Sequence, residues 1–173
     1  MLRLTLDTNC VVDAVMNQGY ASEVNQLVEL ARANRVGLWL TSGFQADQSI
    51  SKKHNYQANL QWLSERPLIG QIPGPFRLDF SPLGGNDELT HGETLRIDEA
   101  IKTILRPSYR PGDAFPERKI NDVHHLTAHW MAGHDAFVTR DSDDMVRKRE
   151  KLRECVGIDV ITPPEAVARV WES

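Results

Sequence analysis

The sequence predicts an α/β fold, with a central, mostly parallel sheet flanked by helices. Three observations carry that expectation. Strand-like apolar runs alternate with helix-period stretches along the whole chain, the pattern of consecutive βα units. Two of the strand-like runs, Leu2–Leu6 and Ala136–Thr139, lead into polar turns holding Asp7 and Asp141, at the sheet edge where α/β proteins gather their ligands. Near the end of the chain, Thr162-Pro163-Pro164-Glu165 combines the threonine and glutamate of a capping box with proline in the first turn, so a final helix starts there.

The elements follow in order. After Asp7-Thr8-Asn9, Val11, Val12, Val15 and Met16 fit a short first helix ending near Gly19. Ser22 can cap a second helix that buries Val24, Leu27, Val28 and Ala31 and closes at Asn34. Val36–Leu40 reads as a buried strand, and Thr41-Ser42 can cap a third helix with Phe44, Ala46 and Ile50, which sets Asp47 in its first two turns. Leu60, Trp62 and Leu63 belong to a further helix. From Pro67 to Gly85 the frequent proline and glycine predict a loop, with one short edge strand at Phe76–Phe80.

Ile97, Ala100, Ile101, Ile104 and Leu105 share one helical face that Pro107 terminates. A loop from Pro107 to Lys119 leads to Asn121-Asp122, which should open an amphipathic helix with Val123, Leu126, Trp130 and Met131 inward and Gly133 at its end. Strand Ala136–Thr139, a helix around Asp144–Cys155, strand Ile158–Ile161 and the capped last helix complete the alternation. The expected organisation is one domain over residues 1–173, with a Pro/Gly-rich and helical insertion at about 66–119.

With 173 residues, 40% of them hydrophobic and 25% charged, the chain can bury one full core. A net charge of -4 argues against indiscriminate coating of nucleic acid, although a local basic patch can still steer a polyanion to an acidic cleft. Cys10 and Cys155 form no CxxC pair and suit a reducing, cytoplasmic setting as small core residues. No apolar stretch is long enough to span a bilayer, and Met1-Leu2-Arg3 enters a strand directly, so neither a membrane anchor nor a signal peptide is expected.

Asp7, Asp122 and Asp141 all fall at expected strand or helix ends. Carboxylates crowded together repel one another and weaken a fold unless they share a proton or a cation. A divalent-metal site resolves that conflict. The ordinary reading gives each acid a local role instead: Asp7 and Asp122 as helix caps, and Asp141-Ser142-Asp143-Asp144 as a solvated turn before a basic helix.

In chain order these elements resemble the PIN domain family of metal-dependent nucleases. The resemblance rests on Leu4-Thr5-Leu6-Asp7-Thr8-Asn9, on Asp47, on Asn121-Asp122 with the helix to Gly133, on Phe137-Val138-Thr139-Arg140-Asp141, and on the closing Ile161-Thr162-Pro163-Pro164-Glu165. It covers roughly residues 1–55 and 118–170. One departure is that the family's second acid is usually glutamate, whereas this chain offers Asp47.

The resemblance implies a PIN-like three-layer sandwich and an endoribonuclease dependent on Mg2+ or Mn2+. Hydrolysis of a phosphodiester needs an acidified water and relief of charge on the phosphoryl and leaving oxygens, which such ions supply, and they choose carboxylate and water oxygens. Asp7 is the expected central ligand, with Asp122 and Asp141 beside it, Asp47 or Asp144 completing the ring, and Asn9, Asn121 and Thr139 supporting. Lys52, Lys53, Arg118, Lys119 and Arg140 flank these acids as expected RNA contacts. For members that act as the toxin of a toxin-antitoxin pair, the resemblance further implies an antitoxin partner covering the cleft, and homodimers are common.

Two alternatives stay open: a noncatalytic PIN-like module for RNA binding or protein assembly, and a phosphatase of the haloacid dehalogenase type. The phosphatase needs a second aspartate where Asn9 stands. His125 and His129 are four apart, but Leu126 stands where a zinc protease carries glutamate, so both are expected at the surface. Asp141–Val146 lacks the glycine of a calcium loop. Trp39 and Trp62 are expected in the core rather than stacked on bases.

Overall fold

The computed structural model describes residues 1–44, 47, 56–77, 81 and 87–173, without the side chains of residues 117 and 118. Five strands, β1 (Leu2–Leu6), β2 (Val36–Thr41), β3 (Ile69–Ile72), β4 (Ala136–Val138) and β5 (Val160–Ile161), form one sheet in the order β3-β2-β1-β4-β5. Every pairing is parallel. The expected α/β class is observed.

Seven helices are described: α1 (Thr8–Met16), α2 (Ala21–Arg32), α3 (Tyr56–Ser64), α4 (Gly92–Leu105), α5 (Glu117–Ala132), α6 (Arg149–Val156) and α7 (Pro163–Glu172). They cover the sheet on both sides around two apolar clusters. One cluster joins Leu4, Leu6, Leu38, Leu40, Ala136 and Val138 of the strands to residues of α1, α2 and α7. The other joins Phe137 and Val160 to α4, α5 and α6 through Ile101, Leu105, Val123, Leu126 and Leu152.

The two-residue period of the strands positions the site. Leu4 and Leu6 turn toward the first layer, so Thr5 and Asp7 turn toward α5; Thr139 shares Phe137's side, and Thr41 shares Trp39's. Register places Thr5 opposite both Trp39 and Phe137, and Leu6 opposite Leu40 and Val138. Asp7, Thr41 and Thr139 therefore leave neighbouring strands at one edge of the sheet and on one face.

Several expectations are corrected. Strand β3 falls within the span expected as a loop. Its Gly70 pairs with Trp39, and a side chain on Gly70 would run into the Trp39 indole, so the glycine that obscured the strand is what lets it pack there. No edge strand forms at Phe76 and Arg77, residues 78–80 lie outside the described ones, and only an isolated bridge joins Pro75 to Glu88. Helix α5 begins at Glu117 after Pro116, which needs no backbone N–H at the helix entrance, so Asn121 and Asp122 lie in its second turn and not at its start.

Nor is α5 amphipathic in its middle: Val123 through Leu126 and Thr127 through His129 are all buried, because the helix is covered on several sides. His125 and His129 are thus core residues, 2% exposed each, where surface positions were expected. Cys10 is buried as expected, but Cys155 is exposed on α6. Trp62 is in the core, and Trp39 is half-buried with its ring 4.4 Å from that of His134. The last helix carries the expected capping box between Thr162 and Glu165.

Candidate metal centre

The β1 exit builds the first part of the site. Asp7 occupies the N-cap position of α1 but makes no capping hydrogen bond with its side chain, which removes the ordinary cap reading for it. Its backbone N–H donates to Val138 O at 2.9 Å, tying the turn to the end of β4. The carboxylate Oδ2 accepts from Thr139 Oγ1 at 2.6 Å and from Asn9 Nδ2 at 2.5 Å, which leaves Oδ1 without a donor among the described residues. Burial is the main influence on this carboxyl and raises its pKa; the nearby His125 and the Thr139 hydroxyl oppose the rise.

The β4 exit supplies the second part. Asp141 N–H donates to Thr139 Oγ1, and Asp141 Oδ1 in turn accepts the backbone N–H groups of Asp143 and Asp144 at 3.1 and 3.0 Å. Asp144 is clamped by Lys119 at 2.6 Å on one oxygen and by Lys148 at 2.9 Å on the other. One oxygen from each of Asp122, Asp141 and Asp144 lies within 4.8 Å of the others. The Asp122 carboxyl accepts no hydrogen bond from the described residues. Burial, followed by the negative charge of Asp7, pushes it up to about 7.

In the third part the expected Asp47 stands beside Asp7, joined by a histidine that was expected at the surface. Ligand atoms of Asp7, Asp47 and His125 also lie within 4.8 Å of one another. Asp47 accepts Thr8 Oγ1 at 2.5 Å and His125 Nε2 at 2.7 Å on Oδ2, and Asn121 Nδ2 at 2.6 Å on Oδ1. Burial works to raise the Asp47 carboxyl, but His125 and these hydrogen bonds outweigh it and hold the group below its ordinary range. Burial works to lower His125, yet Asp47, Asp7 and Asp122 around it push the imidazole up to about 9. Its Nδ1 meets Thr41 Oγ1 at the end of β2.

The fold thus brings Asp7, Asp47, Asp122, Asp141 and Asp144 into two adjoining clusters, with Asn9, Asn121 and Thr139 hydrogen-bonded to members of the set or to each other. Of the five expected RNA contacts, Lys52 and Lys53 lie outside the described residues, as does the side chain of Arg118. Lys119 is engaged on Asp144, and Arg140 reaches back 3.2 Å to the buried Asp13 of α1. His125, Thr8 and Thr41 were missed as site residues. Thr8 stands between Asp7 and Asn9 in the polar turn after β1, but nothing adjacent in the chain marks His125 or Thr41 as site residues.

A divalent cation fits the residues present. The open atoms are carboxylate oxygens, which Mg2+ and Mn2+ prefer, and Asn121 Oδ1 is a buried oxygen with no partner next to them. The raised Asp7 and Asp122 carboxyls also mark an excess of buried negative charge that a cation would relieve.

By sequence, no family model matches the chain and no curated protein matches it. By structure it is similar to a chain of VapBC2 from Rickettsia felis, crystallised on a DNA fragment from the promoter. The likeness spans 93% of this chain and 98% of that one, with a TM-score of 0.53 and 16% identity. A chain of FitAB bound to an IR36 DNA fragment aligns over 92% and 94% at a TM-score of 0.48 and 14% identity. The parallel five-stranded sheet, its flanking helices and the likeness to the VapBC2 chain together show a PIN-like α/β fold.

Proposed function

We propose that this chain is a Mg2+- or Mn2+-dependent endoribonuclease that hydrolyses RNA phosphodiester bonds at the β1–β4–α5 edge, and that it works in the cytoplasm as the toxin of a toxin-antitoxin pair. The observation that carries the reading is the gathering of carboxylates at one end of a PIN-like sheet in two adjoining clusters, Asp7 and Asp47 with His125, and Asp122 and Asp141 with Asp144. RNA as substrate follows from the family resemblance. The partner would be a protein that covers the acidic cleft, as the pairing of components in the name VapBC2 suggests for that relative.

Bound there, a divalent ion acidifies water and offsets charge on phosphoryl and leaving oxygens. The chain's own residues supply geometry. Thr139 and Asn9 hold Asp7 by one oxygen and aim the other into the cleft. Asp141 is fixed by two backbone N–H groups, and Asp122 is the least restrained of the three. Lys119, a third exposed while paired with Asp144, is positioned to meet a phosphate at the rim.

The test is cleavage of a structured RNA pool by the wild type and by Asp7→Asn, with Mg2+, with Mn2+ and with EDTA. Cleavage that needs metal and disappears in Asp7→Asn supports the nuclease. A second reading, a noncatalytic RNA-binding or protein-interaction module, is favoured by the engagement of Asp47 and Asp144 with protein donors. A folded wild type that cuts nothing and binds no Mn2+ in calorimetry would make it the better account.

A further inference from the structure

We propose that Asp13 is a positioning residue: paired with Arg140, it ties the exit of β4 to α1 and so fixes where Asp7 and Asp141 stand. The inference rests on the metal-dependent reading above and deepens it, because neither Asp13 nor Arg140 belongs to either carboxylate cluster.

Asp13 is a fully buried carboxylate whose Oδ1 accepts no hydrogen bond. Burying such a group with incomplete pairing costs free energy. The turn after α1 wraps it closely: Tyr20 N–H donates to Oδ2 at 3.2 Å, and a Cβ on Gly19 would lie 2.4 Å from the same oxygen. The carboxylate therefore cannot swing out to water. Facing its Oδ1 at 3.2 Å is Arg140 Nη1. The Arg140 side chain is 37% exposed and makes no other ion pair among the described residues. Water could solvate that guanidinium in many directions, and Asp13 selects one.

Arg140 stands between a member of each cluster. Before it, Thr139 Oγ1 donates to Asp7 Oδ2 at 2.6 Å; after it, Asp141 N–H donates to the same Oγ1 at 3.0 Å. Its own backbone N–H donates to Asn9 Oδ1 at 3.2 Å, while Asn9 Nδ2 donates to Asp7 Oδ2 at 2.5 Å. Asn9 and Asp13 are four residues apart on α1, which puts them one turn apart on one face. Arg140 is thus held by its main chain at one turn and by its guanidinium at the next. One hydrogen bond alone would let the segment pivot, and a pivot at Arg140 moves Asp141 against Asp7 and disturbs the Thr139 hydroxyl that both use. Residues of a working site must be held to about 0.5 Å, so the second attachment matters to the carboxylates of both clusters.

Asp13→Asn keeps the shape and an acceptor for Tyr20 N–H but removes the charge that holds Arg140, whose guanidinium is then free to be solvated. In chelator its melting temperature should stay within about 4 °C of the wild type. In calorimetry its Mn2+ affinity should fall by about tenfold, the lower end of what an outer-shell partner contributes. Arg140→Lys, which keeps a cation within reach of Asp13, should retain more of the affinity than Arg140→Ala. The double variant Asp13→Asn/Arg140→Ala should lose no more than Asp13→Asn alone, because both changes cut one tie. In RNA cleavage at saturating Mn2+, Asp13→Asn should lower kcat and leave KM unchanged, as displaced carboxylates would and a lost phosphate contact would not.

Wild-type Mn2+ affinity in Asp13→Asn, additive losses in the double variant, no advantage of Arg140→Lys over Arg140→Ala, or a raised KM at unchanged kcat would each overturn the proposal. So would an Asp13→Asn protein that melts as far below the wild type as Arg140→Ala does, which would make Asp13 a structural anchor alone. A wild type that binds no Mn2+ overturns it together with the nuclease reading; Mn2+ binding without RNA cleavage overturns the nuclease alone.

Discussion

Removing a negative charge from the cleft should make the metal-free protein more stable. Asp122 is the position to use, because its carboxyl is moved from an ordinary 3.8 to about 7 by burial and then by Asp7. A carboxyl raised in the folded state contributes stability that is present below pH 3.8 and is lost as pH rises through 7. At about 1.36 kcal/mol per pH unit the full loss is roughly 4 kcal/mol. Water entry and relaxation in an open cleft cut this to about 2 kcal/mol. Asp122→Asn should recover that amount at pH 8, a melting temperature higher by roughly 4–8 °C for a chain of this size. The gain should shrink toward pH 4, where the wild-type carboxyl is neutral.

Calorimetric melts from pH 5 to 8.5 in chelator read this directly. Repeating them in Mn2+ supplies the control: a ligand at a hundred times its Kd stabilises the folded state by about 2.7 kcal/mol. The wild type should gain that and the variant should not, so the order of melting temperatures reverses. An Asp122→Asn protein that melts at or below the wild type at pH 8 without metal would refute the picture of an uncompensated acidic cleft.

The buried histidines set the acid limb of stability. His124 and His129 are each held down to about 3, chiefly by burial, so their contribution is present above pH 6.5 and is lost as pH falls toward 3, at roughly 1.4 kcal/mol per pH unit each. His125, held near 9, acts oppositely and loses its contribution as pH rises from 6.5 through 9. Melts of the wild type and His129→Asn between pH 4 and 7 check this, and equal slopes for the two proteins would contradict it. Arg140→Ala should cost about 2–4 kcal/mol in urea unfolding, because it strands Asp13, a fully buried carboxylate whose Oδ1 has no hydrogen bond; a change within 0.5 kcal/mol would show the pair to be unimportant. Gly74→Ala would drive a methyl group into His124 Nε2 and Ser42 Oγ, and unfolding should show a loss of about 1–3 kcal/mol.

What was legible in the sequence was local. Asp7 and Asp141 stand immediately after strand runs, so their place at the sheet edge follows from reading a strand and its exit. The last helix was legible for the same reason, since a capping box is complete within four residues. Strand β3 was not, because Ile69-Gly70-Gln71-Ile72 is short and its glycine reads as a turn until the Trp39 ring above it is known. The true start of α5 was hidden because nothing near Pro116 is a side-chain cap. His125 shows the limit most plainly: its partners Asp47 and Thr41 are 78 and 84 residues away in the chain. Only tertiary contact can turn a histidine among buried neighbours into part of an acidic site.

The same joint explains why the Pro/Gly-rich middle of the chain is not a detached elaboration. Thr41 ends β2 and Ser42 follows it, and His124 and His125 are successive on α5, so two parallel contacts form: Thr41 to His125, and Ser42 to His124 at 2.9 Å. Beyond His125 stands Asp47, from the segment that follows β2. Beyond Ser42 stands Asp87, which also accepts Gly74 N–H at 2.9 Å and Ser81 Oγ at 2.5 Å and so draws the chain after β3 onto the same joint. Arg77 from that stretch pairs with Asp98 of α4, and Thr127 of α5 donates to the same carboxylate at 3.2 Å. Each contact buries a polar group with a partner, so loosening one leaves another unsatisfied. The residues that place Asp47 beside the cleft are therefore held by those that dock the insertion, and a change at Asp87 or Gly74 acts on the acidic site through His124 and its neighbour His125.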